Sequence, residues 1–367
     1  MKTFEMNNVH RDSDLCSGNV KAHSPIVEIF SAMVNGESLE RFGKKADTAV
    51  NYIKDLGVRA ESNDMGAIAE LNTIRRFVIE APVLEEMNLL GIFGTYEAVG
   101  FDETVEREVY NYAGEMSREQ ANGGDPVFPM LNKEVYPVPT FTVSGGMQSD
   151  YRRIAVGDMS RENKMLATVK TDILNNAKAK IIKKIYDAVK NATGVTYYFE
   201  GMTGLTKAGV DGVLTKVRRN GKPTIIGDYA VISQLTPWAG YDGSVNGHTI
   251  NGISDDIINE IAANGVLARY NGAVVAEMTN PYNLFKLNAD ESNFETLLPQ
   301  GLGFIIPTGV NSPIATYTRG GLTSFSGNDV KTGKVLTRFD IEVGCDIAKG
   351  REYEIGVIYD AQIGGLA

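Results

Sequence analysis

The sequence predicts an α+β fold of about two domains. Three observations carry the prediction: helical periodicity over most of the first 80 residues, one apolar stripe at helical spacing from residue 160 to 192, and a strand-rich C-terminal part. A length of 367 residues fits two domains at roughly 100–200 residues each.

Residues 1–23 are polar, hold two of the three histidines and show no period, so they read as an extended arm. Ser24-Pro25 then supplies an N-cap and a proline at the first helical position. Ile26, Ile29, Phe30 and Met33 form one face, and Asn35-Gly36 is the stop. A second helix is expected over Lys44–Leu56, with Ala46, Ala49, Val50 and Ile53 inward and Gly57 ending it. A third starts after Asp64 and uses Ile68, Leu71, Ile74 and Val78.

From Phe93 to Val143 the period changes to two. Tyr96 and Ala98, then Val105, Arg107 and Val109, and later Val135, Pro137 and Phe141 mark strands. Between them, Ala113–Pro129 contains Ala121-Asn122-Gly123-Gly124-Asp125-Pro126, which must turn and has nothing to bury. Either this is a solvated loop, or it is the tip of a long two-stranded arm that needs a neighbouring molecule to lie on.

Ser160–Ala192 is the strongest helical signal. Leu166, Val169, Ile173, Ala177, Ile181, Ile185 and Ala188 recur at spacings of three or four, and Thr193-Gly194 ends the run. The rod is about 45 Å long, and its single stripe suits a helix laid across a domain better than a coiled coil. Its lysines read as a solvated face. After it come a buried strand at Pro223–Gly227, a helix from Asp228 through Leu235, and a helix Asp255–Asn264 capped by Ser254. A hairpin follows, with Val266–Tyr270 and Ala273–Glu277 flanking Asn271-Gly272. Further strands are expected at Gly303–Pro307, Pro313–Thr318, Val335–Gly344 and Glu352–Tyr359. There is no internal repeat.

The composition is 43% hydrophobic and 22% charged, enough for a real core and outside the disordered range. A formal net charge of −10 argues against gripping nucleic acid or an anionic membrane through the overall field. The two cysteines, Cys16 and Cys345, form at most one bridge, which fits a reducing compartment. The N-terminus does not read as a secretory signal, and no apolar run approaches the ~18 residues of a membrane span.

Reactive constellations are missing from the sequence. Three histidines, His10, His23 and His248, leave almost no material for a histidine triad or a histidine-ligated metal. Gly301-Leu302-Gly303 opens like a dinucleotide fingerprint, but Ile306 stands where the third glycine belongs. Gly333-Lys334 lacks the rest of a phosphate loop. Asp242–Gly247 reads as a plain turn rather than a calcium loop, and Asn191-Ala192-Thr193 matches a glycosylation sequon by chance. The acid pairs Asp255/Asp256 and Glu85/Glu86 read as helix-end and surface charge. No catalytic, cofactor-binding or metal-ligating residue is therefore expected, nor any cofactor, and a structural or binding role gains weight.

Order and wording point to a family. A projecting hairpin, a long lysine-studded helix and Lys222-Pro223-Thr224-Ile225-Ile226-Gly227-Asp228 come in sequence. They are followed by Ile253–Ile257, Gly272–Val275 with Thr279-Asn280, Thr332–Lys334, Arg338–Gly344 and Ile355–Asp360. Together these resemble the major capsid protein of tailed bacteriophages, the Hong Kong 97-type capsid fold, over about residues 67–360.

The resemblance implies an N-terminal arm with short helices at 1–66 and an extended loop at 97–143. It places a peripheral domain at 67–96, 144–194 and 330–367, with the spine helix at 160–192, and an axial domain at 195–329. It further implies self-assembly as pentamers and hexamers into an icosahedral shell that encloses double-stranded DNA without binding it specifically. Portal, scaffolding or decoration proteins would be the partners, no membrane is involved, and the virion would be assembled in a host bacterial cytoplasm. No position here matches the cross-link of the family's type member. Two alternatives stay open: an encapsulin-type shell protein that houses an enzyme cargo, and an uncharacterised enzyme.

Overall fold

A computed structural model of the chain describes residues 24–89, 94–113, 117, 119, 122, 124, 128, 130–238, 241–245, 248–252, 267–288, 291–308, 312–329 and 334–363. The expected arm at 1–23, the helix Asp255–Asn264 with its acid pair, and most of the 114–129 tip lie outside the described residues.

Three helices open the fold: α1 (Pro25–Asn35), α2 (Lys44–Glu61) and α3 (Met65–Leu89). α1 starts and stops where the sequence puts it, with Gly36 at φ 74° sending its N–H back to the Ala32 and Met33 carbonyls. The Ser24 hydroxyl, however, makes no cap bond. Asp64 does cap α3, accepting from the Gly66 N–H at 2.9 Å, and the Arg59 guanidinium on its other oxygen holds its carboxyl below the usual range.

α2 runs past its expected stop. Gly57 sits inside the helix because a Cβ there would lie 2.8 Å from Ile154 Cγ2 and 2.9 Å from the Ala155 nitrogen of helix α4 (Tyr151–Val156). The glycine serves a helix crossing, not a terminus.

The long helix α5 (Ser160–Lys190) buries the predicted stripe from Leu166 to Ile185, with Ala188 half-buried, and adds Leu174, Ile182, Tyr186 and Val189. It lies on a four-stranded sheet of order β1-β14-β15-β4: Thr95–Val99, Ile314–Asp329, Lys334–Ile347 and Thr140–Ser149. The helix comes down on β4 at Gly145, where a Cβ would be 2.8 Å from both Val169 and Ile173. A buried ion pair joins the layers. Arg75 of α3, fully buried, meets Glu162 of α5 and donates to Asn72 Oδ1 at 3.0 Å, while Ser149 of β4 donates to Glu162 at 3.3 Å. Such a pair adds little net stability, but removing one partner strands the other charge in the core.

The second sheet has six strands, in the order β5 (Tyr197–Gly201), β16 (Gly356–Asp360), β13 (Leu302–Thr308), β6 (Lys222–Gly227), β10 (Ala273–Glu277) and β9 (Arg269–Tyr270). Helix α6 (Lys207–Val217), which periodicity did not single out, caps it with Val210, Val213, Leu214 and Val217. Asn271 at φ 45° and Gly272 at φ 78° form the expected hairpin turn. Asp228 accepts from the Ala230 N–H as a cap, but the α-helix after it stops at Ile232 and continues as a 3₁₀ turn from Ser233 to Trp238.

Several local expectations change. Asp242–Val245 is strand, not turn: Tyr241–Val245 (β7) pairs antiparallel with His248–Gly252 (β8), and the rest of the expected turn, 246–247, lies outside the described residues. Glu352–Glu354 is a 3₁₀ turn and the strand begins only at Gly356. Strand allocation also crosses the expected boundary at 329/330. β14 pairs with β15 under α5, whereas β16 pairs with β13 and β5 in the six-stranded sheet. One hydrophobic core is continuous from α1 to β16.

Candidate assembly surface at the projecting hairpin

Strands β2 (Glu106–Ala113) and β3 (Met130–Pro137) pair only with each other, from Glu106↔Pro137 to Ala113↔Met130. They form a two-stranded ribbon, while the 114–129 segment on which the two readings differ lies mostly outside the described residues. Residues directly opposite share a face. One face carries Arg107 with Tyr136 and Val109 with Glu134; the other carries Glu108 with Val135, Tyr110 with Lys133, and Tyr112 with Leu131.

The first face is tied to the body. Arg107 donates to the Pro313 and Asp346 carbonyls, both at 2.7 Å, and lies 3.4 Å from the Asp346 carboxylate. Its cross-strand partner Tyr136 donates to the same carboxylate at 2.7 Å. Burial and that bond push the Tyr136 phenol up to about 12. Lys349 pairs with Glu134 at 3.2 Å and lies over the Tyr136 ring. Val105, Val138, Ala315 and Tyr317 form a small apolar cluster beneath. The hairpin base is thus clamped to the end of β15 by directional polar contacts.

The second face is open. Val135, Tyr110 and Leu131 are 46%, 51% and 54% exposed, beside a Lys133–Glu108 ion pair of 2.5 Å. An apolar strip with a charge pair on it has the composition of a recognition surface. A second small ribbon, β11 (Tyr282–Leu287) with β12 (Phe294–Thr296), also exposes Tyr282, Leu284 and Phe294.

In the sequence Arg107 shares the alternating register of Val105 and Val109. That misfit of a charge in an apolar register was the available signal for the clamp; Asp346 and Lys349 gave none. The Gly301-Leu302-Gly303 glycines serve strand packing: a Cβ on Gly301 would sit 2.2 Å from the Asp360 carbonyl oxygen, and one on Gly303 2.9 Å from Ile358. Cys345 is buried, which pushes its thiol up to about 12 and leaves it unreactive. Among the described residues no cluster of three potential metal ligands occurs, and no helix is long and apolar enough to cross a membrane.

A family model described as "SPbeta prophage-derived putative capsid protein YonB" matches residues 5–359. The chain belongs to this capsid-protein family. No match was found among curated proteins. Similar solved structures include a virus-like particle from Pyrococcus furiosus, at 11% identity over 76% of this chain and 97% of that one, with a TM-score of 0.43. The capsid of the native GTA particle is 12% identical over 74% and 89%, with a TM-score of 0.46. The SrpI encapsulin of Synechococcus elongatus PCC 7942 is 11% identical over 74% and 86%, with a TM-score of 0.42. In a capsid protein, the open face of the hairpin is the surface to examine for contacts between subunits.

Proposed function

We propose that this capsid protein is the major shell subunit of a phage head. It adopts the Hong Kong 97-type architecture and assembles as pentamers and hexamers into an icosahedral shell around double-stranded DNA, in the cytoplasm of the host bacterium. The spine is α5 on its four-stranded sheet, the axial part is the six-stranded sheet, and the extended loop is the β2–β3 hairpin. Portal, scaffolding or decoration proteins complete the head, and the chain performs no catalysis.

The observation that carries the reading is the hairpin itself. A two-stranded ribbon is at best marginally stable alone, and this one exposes Val135, Tyr110 and Leu131 while its base is fixed. A neighbouring subunit is the natural cover, and in a symmetric assembly the contact repeats at every copy.

Replacing residues 114–129 with Asn-Gly keeps both strands and removes only the tip. The subunit should unfold at a near-wild-type temperature, while negative-stain images show shells lost or fragile to dilution. Wild-type protein that scatters light only as a 39.9 kDa monomer would refute the proposal, and unaltered shells from the tip variant would show that 114–129 is an ordinary surface loop. Nuclease-protected DNA in wild-type shells supports a head, and a protein cargo in its place overturns that part.

A further inference from the structure

Helix α5 carries eight basic and three acidic residues, in a chain that has 28 basic and 43 acidic residues outside it. One of the three acids, Glu162, is buried against Arg75. The outer face of α5 carries Arg161, Lys164, Lys180, Lys183 and Lys190 against Asp172, with the half-buried Asp187 between Lys183 and Lys190. At 1.5 Å per residue this stripe runs about 44 Å.

Several surface cations elsewhere in the chain are held by carboxylates. Arg41 pairs with Glu37, Arg59 with Asp64, Lys133 with Glu108, Lys286 with Glu295 and Arg351 with Glu354. On the stripe, Arg161, Lys164, Lys180 and Lys183 make no ion pair with a carboxylate among the described residues. Lys180 instead lies over the Phe141 ring. A helix whose only task is solubility gains from Glu and Lys alternating at four-residue spacing. α5 sets Lys180 and Lys184 one turn apart as like charges and has Lys183 with Asp187 as its one opposite pair at that spacing.

We infer that this stripe is a contact surface for the phosphate backbone of duplex DNA, facing the inside of the shell. The inference rests on the reading of the protein as a DNA-enclosing capsid subunit. The occupant follows from chemistry. Between the cations the stripe offers Thr168, Thr171 and Asn176, small polar groups that suit phosphate oxygens. It exposes no aromatic or aliphatic anchor of the kind a protein partner requires. The backbone carries no sequence information, so the contact is indifferent to sequence. Five phosphates neutralised give a slope of log affinity against log salt of about −4 to −5, so binding falls about 100-fold between about 50 and 150 mM salt. A single subunit therefore binds weakly at physiological salt, and the contact counts only where many copies face concentrated DNA.

The test titrates unassembled capsomers with a fluorescent duplex of about 30 base pairs from about 25 to 150 mM salt and images the same preparations for shells. In K164Q/K180Q/K183Q the slope should become shallower by about 3, with thermal unfolding and shell formation preserved. K286Q, which removes a cation paired with Glu295 at 2.7 Å, should leave the slope unchanged. An unchanged slope in the triple variant overturns the inference, as does absence of wild-type binding at the lowest salt. Loss of shells in the triple variant with an intact subunit also overturns it, by making the stripe a contact between subunits. Wild-type protein that never forms shells refutes the capsid reading and takes this inference with it. Closed shells with an unmoved slope refute the stripe alone.

Discussion

Truncating Arg107 to alanine separates the docking of the hairpin from the folding of the subunit. The guanidinium serves the buried Pro313 carbonyl and the half-buried Asp346 carbonyl, both at 2.7 Å, and also approaches the Asp346 carboxylate. Hydrogen bonds from a charged donor are worth about 1.5–3 kcal/mol each, and the buried Pro313 carbonyl left behind loses its partner. Docking should therefore weaken by about 3–4 kcal/mol, which is a factor of about 100 to 1,000 in the open population. Neither β2 nor β3 belongs to the four- or six-stranded sheet, so the loss falls on the hairpin and not on global stability. Hydrogen exchange read by mass spectrometry on the unassembled subunit should show faster exchange in peptides covering 105–113 and 130–138. Peptides from α5 and the six-stranded sheet should stay unchanged. Lys133→Ala, which breaks only the exposed pair with Glu108, is the control and should leave all of these rates alone. Equal acceleration by both variants, or unfolding of the whole subunit by Arg107→Ala, would show that the clamp does not act as described.

Three further outcomes test the body of the fold. Glu70 is buried, accepts from Tyr52 and has a second oxygen without a partner among the described residues, so its pKa is raised by desolvation. A raised folded value means stability is full below the unfolded carboxylate pKa of about 4.3 and is lost as pH rises through the folded value; Glu70→Gln should then be more stable than wild type at pH 7 and equal to it near pH 4 in thermal melts, and a pH-independent difference would contradict this. Gly57→Ala should lose about 1–2 kcal/mol in denaturant melts although alanine favours helix by about 1 kcal/mol, because its Cβ meets Ile154 and the Ala155 nitrogen; a stabilised variant would mean that propensity outweighs packing. Ile181→Ala, at a fully buried position of α5, should cost about 2–4 kcal/mol by the same assay, and Lys183→Ala on its exposed face less than about 0.5; similar losses would overturn the face assignment.

The sequence was most legible where signals are local. The α5 stripe, the Asp64 cap and the Asn271-Gly272 turn each depend on residues a few positions apart, and each stands where the pattern put it. Legibility failed where a distant partner decides. Gly57 looked like a stop because the helix it crosses, Tyr151–Val156, is about a hundred residues away. β1 pairs parallel with β14, Thr95 opposite Ala315, and no local feature of either strand announces the other. The same holds for β16, whose partners are Phe304 and Tyr198 for Val357. At the hairpin, alternation revealed both strands, with Arg107 in the register of Val105 and Val109. The acceptors it reaches lie more than 200 residues on, so the clamp became visible only with the fold.

The distribution of contacts separates what folds the subunit from what it offers to neighbours. The apolar residues that decide folding lie under α5 and within the two sheets, in a core continuous from α1 to β16. The hairpin shares almost none of it; beyond the small cluster around Val105 and Val138, its attachment is polar and directional. Such an attachment fixes where the ribbon points and adds little apolar burial to it. A surface that covered Tyr110, Leu131 and Val135 would bury only a narrow strip, so a single contact there would be weak. Weak contacts that repeat by symmetry dissociate readily when a subunit arrives wrongly and become strong together when a ring closes. A hairpin with its own core would bind its first neighbour tightly and lose that discrimination, so the thinness of this element is consistent with a subunit that has to close a shell.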